Sequence, residues 1–399
     1  MRTYISFLVI FLLFNTMLNG QSWVSVADIP TGRHHPVTFA LNGKGYSVTG
    51  TISSGYVTKT FYEYDPVLDT WTTLTDFPGD ARGYSIGVVS NGFAYMGFGS
   101  SINQYLNDLW RYDAQNDQWT QMASCPCSGR THPAMIANNG KIYVGLGNDG
   151  QNLNDWWEYT ISSDSWIQMA NLPGPVRHHP YQFATGGQVF AGLGHGNGIF
   201  DDWYRLDTTS NSWTAMANFP GEARVAGTQF DHGNYGYILS GDGDNHSFMP
   251  TGEMWQYDPL TDTWQQLTPH PGVSRWAPGS FVIGNDVYFF GGKNRQANTY
   301  PVSVDKFTLP SISVGISEDN HSDINVFPNP FSNQLSIKTE HTGHLQYRIW
   351  SVDGKAIQQG FIVNEYINTA NIPDGIFILE IQESDENIIA RKRLVKINE

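Results

Sequence analysis

Apolar and polar residues alternate in short runs along most of the chain, and the runs come in groups of four. Between Trp71 and Trp119 the alternation predicts strands over 85–89, 94–98, 108–112 and 117–122, separated by Asn-Gly, Gly-Ser and Asp-rich turns. Period-two alternation over four to eight residues, bounded by turn formers, marks a half-buried strand. The groups recur in register. Trp23, Trp71, Trp119, Trp166, Trp213 and Trp264 are spaced by 48, 48, 47, 47 and 51 residues. Ten or eleven residues after each comes an arginine: Arg33, Arg82, Arg130, Arg177, Arg224 and Arg275. A Gly-ending apolar strand follows (YSVTG, YMGFG, YVGLG, FAGLG, YILSG, YFFGG), then an aromatic-acidic segment such as NDLWRYD or NDWWEYT. Self-similarity at a fixed period of this size means a repeat architecture, because one such unit cannot bury its own apolar face.

Four short strands per unit are the content of a propeller blade. With the strand-ending glycines, the spaced Tyr or Trp and the periodic Trp, the unit resembles the kelch family over roughly residues 22–308. One departure is plain: only Gly291-Gly292 is an adjacent pair, and the other units keep the second glycine alone or as Gly-x-Gly. The segment around Trp23 reads as a fourth strand with no first three before it, and the unit from Arg275 to Phe307 has three strands and lacks its fourth. Six blades, with the N-terminal strand completing the last, pair edges that would otherwise stay exposed.

Both ends of the chain read differently. Arg2 followed by an apolar run from Ile5 to Phe14 is the pattern of a secretory signal, with cleavage expected after Gly20. No run of 18 or more apolar residues is present, so no transmembrane segment is expected. After Phe307 the period is lost. A polar linker over 311–323 leads to a second small β unit over 324–399. Pro328-Asn329-Pro330, Asp353-Gly354-Lys355, Pro373-Asp374-Gly375-Ile376-Phe377 and the closing basic-apolar strand from Arg391 resemble the type A C-terminal sorting domain of the type IX secretion system of Bacteroidota. That resemblance implies export and release or attachment at the outer-membrane surface, with the secretion machinery as a partner through 324–399. The expected fold is therefore all-β: signal peptide 1–20, a six-bladed kelch-type β-propeller over 21–310, a linker, and a small Ig-like β-sandwich.

Composition narrows the function. The chain is 14% aromatic and 15% charged, which suits large β cores. Its formal net charge of −15, without basic clusters, argues against nucleic acid. Cys125 and Cys127 are too few for a metal site and have either a disulfide or two free thiols open to them.

Candidate chemistry gathers at one end of the blades, where the loop entering each first strand meets the loop between the second and third. Six of the nine arginines in residues 21–310 sit there, in a region whose charge is 14 basic minus 25 acidic, or −11. They either line a positive mouth that draws carboxylates or bond backbone carbonyls and hold the ring together. The histidines break the symmetry, in Arg33-His34-His35-Pro36, Arg130-Thr131-His132-Pro133 and Arg177-His178-His179-Pro180. Neutral imidazoles from separate blades, His35, His132 and His179 among them, can converge on a sugar or on a metal; no metal or other cofactor is expected. Glu222 beside Arg224 is the candidate acid–base pair, since six-bladed kelch proteins include sialic acid mutarotases with a Glu and an Arg at the mouth. The leading expectation is a secreted, non-catalytic module that binds an anionic glycan or an extracellular protein. A mutarotase-like carbohydrate enzyme and a structural or adhesive surface protein are the alternatives.

Overall fold

A computed structural model describes residues 22–310, 324–339, 345–351, 356–382 and 388–397. The expected signal peptide and the linker lie outside the described residues, as does the Asp353-Gly354-Lys355 turn. Among the described residues there are strands and two short 3-10 turns, and no α-helix. No helix among them is long and apolar enough to cross a membrane.

The strands of the repeat region form six four-stranded antiparallel sheets. In the second, Ile86–Ser90, Phe93–Gly97, Leu109–Asp113 and Gln118–Met122 pair in chain order, each within a residue or so of the strand read from the alternation. The first sheet begins at Val37–Leu41, the third at Ala134–Asn138, the fourth at Tyr181–Thr185 and the fifth at Thr228–His232. The sixth is made of Trp276–Ile283, Asp286–Lys293, Val304–Thr308 and, as its outer strand, Val24–Val26, where Val24 faces Lys306 and Val26 faces Val304. Each sheet's first strand lies against the first strand of the next, and Trp276–Ile283 lies against Val37–Leu41. This arrangement fits a propeller.

The core sits between sheets. Six separate apolar clusters are each shared by two neighbouring sheets. One, with Tyr64, Phe281, Tyr288 and Phe290, joins the sixth sheet to the first. Trp156 and Trp203 are fully buried in two of these layers. An aromatic side chain of this size removes about 150–250 Å² from water, roughly 4–6 kcal/mol at ~25 cal/mol per Å².

The periodic tryptophan has a second role besides filling these layers. The indole N–H groups of Trp71, Trp166, Trp213 and Trp264 donate to the backbone oxygens of Ala27, Ala123, Ala170 and Ala217, just past the outer strand of the preceding sheet. The same alanines Ala27, Ala123, Ala170 and Ala217 donate their N–H to Asp69, Asp164, Asn211 and Asp262. Those four acceptors occupy tight turns with φ of 48–52°, a left-handed conformation that Asp and Asn tolerate better than most residues.

The tail has its own core. Ile324–Phe327, Gln334–Thr339 and Tyr366–Asn368 form one sheet, and Gln346–Ser351, Ala356–Phe361, Gly375–Gln382 and Ile388–Lys396 another. Leu335, Ile337, Ile349, Leu379 and Leu394 are packed between them. Asn329 ties the Pro-Asn-Pro turn to the last strand: its side-chain amide donates to the Arg393 oxygen at 2.8 Å and its side-chain oxygen accepts from the Val395 N–H at 2.8 Å.

Candidate functional site

The six repeated arginines are buried, five of them with no exposed surface at all. Each guanidinium is committed inside its own sheet. Arg82 pairs with both oxygens of Asp108 at 2.6 and 2.7 Å while donating to the Asp80 and Phe98 backbone oxygens. Arg130 does the same with Asp155, Ser128 and Leu146. Arg177 pairs with Asp202 and packs 4.5 Å from the Phe200 ring. In the first sheet no carboxylate stands opposite. Arg33 instead donates to the Thr49 and Thr60 oxygens and lies over Tyr62. Arg275 reaches Ser303 and lies 3.6 Å from Asp305. Of the two readings open to the arginines, these contacts support the structural one: the guanidiniums are turned into their own sheets and buried rather than presented outward.

The backbones of the arginines do the work between sheets. The N–H of Gly50, Gly99, Gly147, Gly194 and Gly241 donates to the oxygen of Arg82, Arg130, Arg177, Arg224 and Arg275 respectively, each in the next sheet. These glycines follow the second strands by two residues and have φ of 85–102°. A Cβ at Gly194 would stand 2.8 Å from the His178 oxygen and 3.0 Å from that of His179. Conformation and close approach together account for the glycine in every repeat.

Glu222 and Arg224 do not form the expected acid–base pair. The Arg224 guanidinium turns inward to Glu253 at 2.7 Å, and Glu222 accepts only through its backbone oxygen from Arg224 Nε. The Glu222 carboxylate, exposed, instead accepts from the Asp244 N–H at 3.0 Å. Arginine with the following loop's acid is the repeated relationship here, and Glu253 stands where Asp108, Asp155 and Asp202 stand in other sheets.

Two residues after each arginine the chain turns through a left-handed residue: His35, Tyr84, His132, His179, Ala226 and Ala277, with φ of 50–62°. Backbone bonds link them around the axis, from His35 N to the Ala277 oxygen, His132 N to Tyr84, His179 N to His132 and Ala277 N to Ala226. The three histidines meet. His35 Nε2 and His179 Nε2 are 2.7 Å apart, so one ring donates its N–H to the other, and the His132 and His179 ring centres are 3.5 Å apart. Against them is a cavity of about 130 Å³ lined by the first strands of five sheets and by His132 and Pro133 just ahead of the third. Burial, then the neighbouring imidazoles, hold His35, His132 and His179 well below the usual histidine range. They are neutral at pH 7.

Beside these histidines stand three aromatic residues the motif reading passed over, Tyr84, Trp276 and Tyr300. His34, Tyr84, Trp276 and Tyr300 cluster, with ring centres 4.8 Å (His34–Trp276) and 5.6 Å (His34–Tyr300) apart. Arg295 lies 4.9 Å over Trp276 and 2.7 Å from Asp242, and Lys293 lies 5.8 Å from the centre of the Tyr300 ring. Burial lowers the His34 pKa to about 4, with Lys293 and Arg295 adding to the effect. On the opposite side His178 meets Asn152, His195 and, through His195, His246. Tyr84 and Trp276 were findable from sequence by following the arginine register rather than the His-His-Pro spelling. Cys125 and Cys127 are bonded to each other and buried, with Asn107 donating to both backbone oxygens.

Comparison with known families agrees with this architecture. Residues 122–292 match the KLHDC2/KLHL20/DRC7 Kelch-repeats domain, residues 95–126 the Kelch motif, and residues 325–396 the secretion system C-terminal sorting domain. No match was found among curated proteins. The sorting domain supports export or cell-surface placement through the type IX route. The chain thus carries Kelch repeats within residues 95–292 and a type IX C-terminal sorting domain over residues 325–396.

Proposed function

We propose that residues 21–310 are a six-bladed propeller closed by the strand at Val24–Val26, and that residues 324–399 are an Ig-like sorting domain reached through a linker over 311–323, behind a signal peptide at 1–20. The propeller is a recognition module of the cell exterior, and its ligand, an anionic glycan or an extracellular protein segment, docks on the His-lined mouth. One observation carries this reading. At that end, and in no periodic pattern, His34, Tyr84, Trp276 and Tyr300 stand together with Lys293 and Arg295. Aromatic faces beside cations suit a sugar ring bearing a carboxylate, or an acidic peptide. The preference for an anion thus rests on Lys293 and, beside it, on Arg295, whose Nε alone is seen to face Asp242, rather than on the six buried arginines, which shape the loops.

The test is calorimetric titration of the full chain with acidic and neutral sugars, repeated on a Lys293→Ala, Arg295→Ala variant. Saturable binding of an acidic sugar that the variant loses by tenfold or more supports the reading. A folded protein that binds no sugar overturns the glycan arm and directs the search to acidic protein segments.

A further inference from the structure

We propose that His35, His132 and His179 are a three-histidine site for a divalent transition-metal ion, zinc foremost, on the axis of the inner strands. This goes beyond the recognition reading, and neither requires the other.

Geometry carries it. One ring nitrogen from each of the three histidines lies within 4.8 Å of the other two. Three nitrogens bound to one tetrahedral zinc at about 2.0–2.1 Å stand roughly 3.3 Å apart, so small rotations of the three rings bring them onto one ion. Backbone bonds from His35 N to Ala277 O, His132 N to Tyr84 O and His179 N to His132 O hold the three turns that carry the rings.

The donors are also free for the task. His132 has no hydrogen-bond partner at either ring nitrogen, and His179 has none at Nδ1, although these atoms are buried. Buried ring nitrogens left without a partner, two on His132 and one on His179, are an unfavourable use of polar groups, and a cation that takes their lone pairs removes that cost. His35 Nδ1 faces His34 Nδ1 at 2.5 Å, which leaves Nε2 as its inward atom. A partner on the far nitrogen orients a metal-binding imidazole in this way. Burial keeps the rings neutral, the form in which histidine coordinates.

The site is open on one side. The equivalent positions in the fifth and sixth sheets are Ala226 and Ala277, both lining the same cavity. Three histidines facing two alanines leave room for a fourth donor, water or a group of a bound ligand, as open zinc sites do. With nitrogen donors alone, a hard cation such as Mg²⁺ or Ca²⁺ is disfavoured.

The tag-free full chain, stripped with chelator, would be titrated with Zn²⁺ alone by calorimetry and with Co²⁺ by visible absorption. One equivalent is expected, with the intense ligand-field bands of four-coordinate cobalt. His132→Ala and His179→Ala should each weaken binding by about 100-fold or more. His132→Gln, which keeps the polar volume, serves if the alanine variant does not fold, and near-UV circular dichroism reports folding. His232→Ala, at the far end of its strand, should bind as the parent does. Absence of binding to the folded parent overturns the site, as does binding that survives loss of His132 and His179, or a weak six-coordinate cobalt spectrum. Sugar titration in chelator reads the recognition surface separately, so failure of one leaves the other standing.

Discussion

The Nε2 atoms of His35 and His179 lie 2.7 Å apart across the axis, although 144 residues separate them along the chain. Each is held there by the loop that its own sheet's buried arginine anchors. The pairing sets imidazoles against one another where burial and their neighbours disfavour charge, an arrangement that requires them neutral.

That requirement predicts acid sensitivity. A histidine whose folded pKa is depressed contributes its full stability above the unfolded value near 6.5 and loses it as pH falls toward the folded value. For His34 and His178 that window runs from about 6.5 to about 4, burial being the main cause for both. A shift of this size is worth on the order of 3 kcal/mol for buried His34, and less for half-exposed His178. Asp242 acts in the opposite sense. Burial raises its pKa to about 6 against the opposing pull of Arg295, so its ionisation costs stability that returns below that pH. Asp231, likewise raised to about 6 by burial, acts with it; the histidines outnumber the two, and urea midpoints should fall between pH 7 and pH 4.5. A His35→Asn, His132→Asn, His179→Asn variant should show a flatter profile.

The Arg130–Asp155 pair should be costly to break. Asp155→Asn removes the charge opposite a guanidinium with no exposed surface and weakens the acceptor for the Trp157 indole. Leaving a buried charge uncompensated costs about 3–5 kcal/mol, measurable by denaturant unfolding. Burial raises the Asp155 pKa, yet Arg130 and Trp157 bring it below its ordinary value, so this part of the stability is present above the ordinary carboxylate range and lost as pH falls below it. Arg130→Lys should not substitute, because an ammonium cannot span both carboxylate oxygens and the backbone acceptors at once.

Asp262 tests the stitch between outer strands. It accepts from the Ala217 N–H and from the Tyr257 hydroxyl while its turn holds a left-handed φ of 52°. Asp262→Ala should lose roughly 1–3 kcal/mol. Asp262→Asn should lose less than about 1 kcal/mol, since Asn211 already plays this part for Ala170 one sheet earlier. Thermal unfolding of the two variants side by side decides it.

In the tail, Asn329→Ala removes both bonds that hold the Pro-Asn-Pro turn to the closing strand. A loss of about 1–2 kcal/mol in the stability of the tail is expected. Faster proteolysis near Arg393, with the repeat region intact, is the measurement that checks it.

The repeat unit, its strands and its turns were legible because they depend on local chemistry. Alternation places a strand within a residue or so, and glycine and Asp or Asn mark the left-handed turns whatever surrounds them. The sorting tail was legible through its resemblance to a known family, and Pro328-Asn329-Pro330, one of the motifs that carry it, is the turn that clasps the last strand.

The chain alone therefore determined an all-β repeat fold and an export tail, and it singled out His35, His132 and His179. It did not determine what the arginines and histidines do. Whether a guanidinium faces a ligand or an aspartate twenty-six residues away, as Arg82 faces Asp108, depends on which loop folds over it. That is why Arg224 found Glu253 rather than its sequence neighbour Glu222. Only the packing of successive first strands against one another set three imidazoles from three sheets together, because their separation in space is fixed by that packing and not by the spacing between repeats.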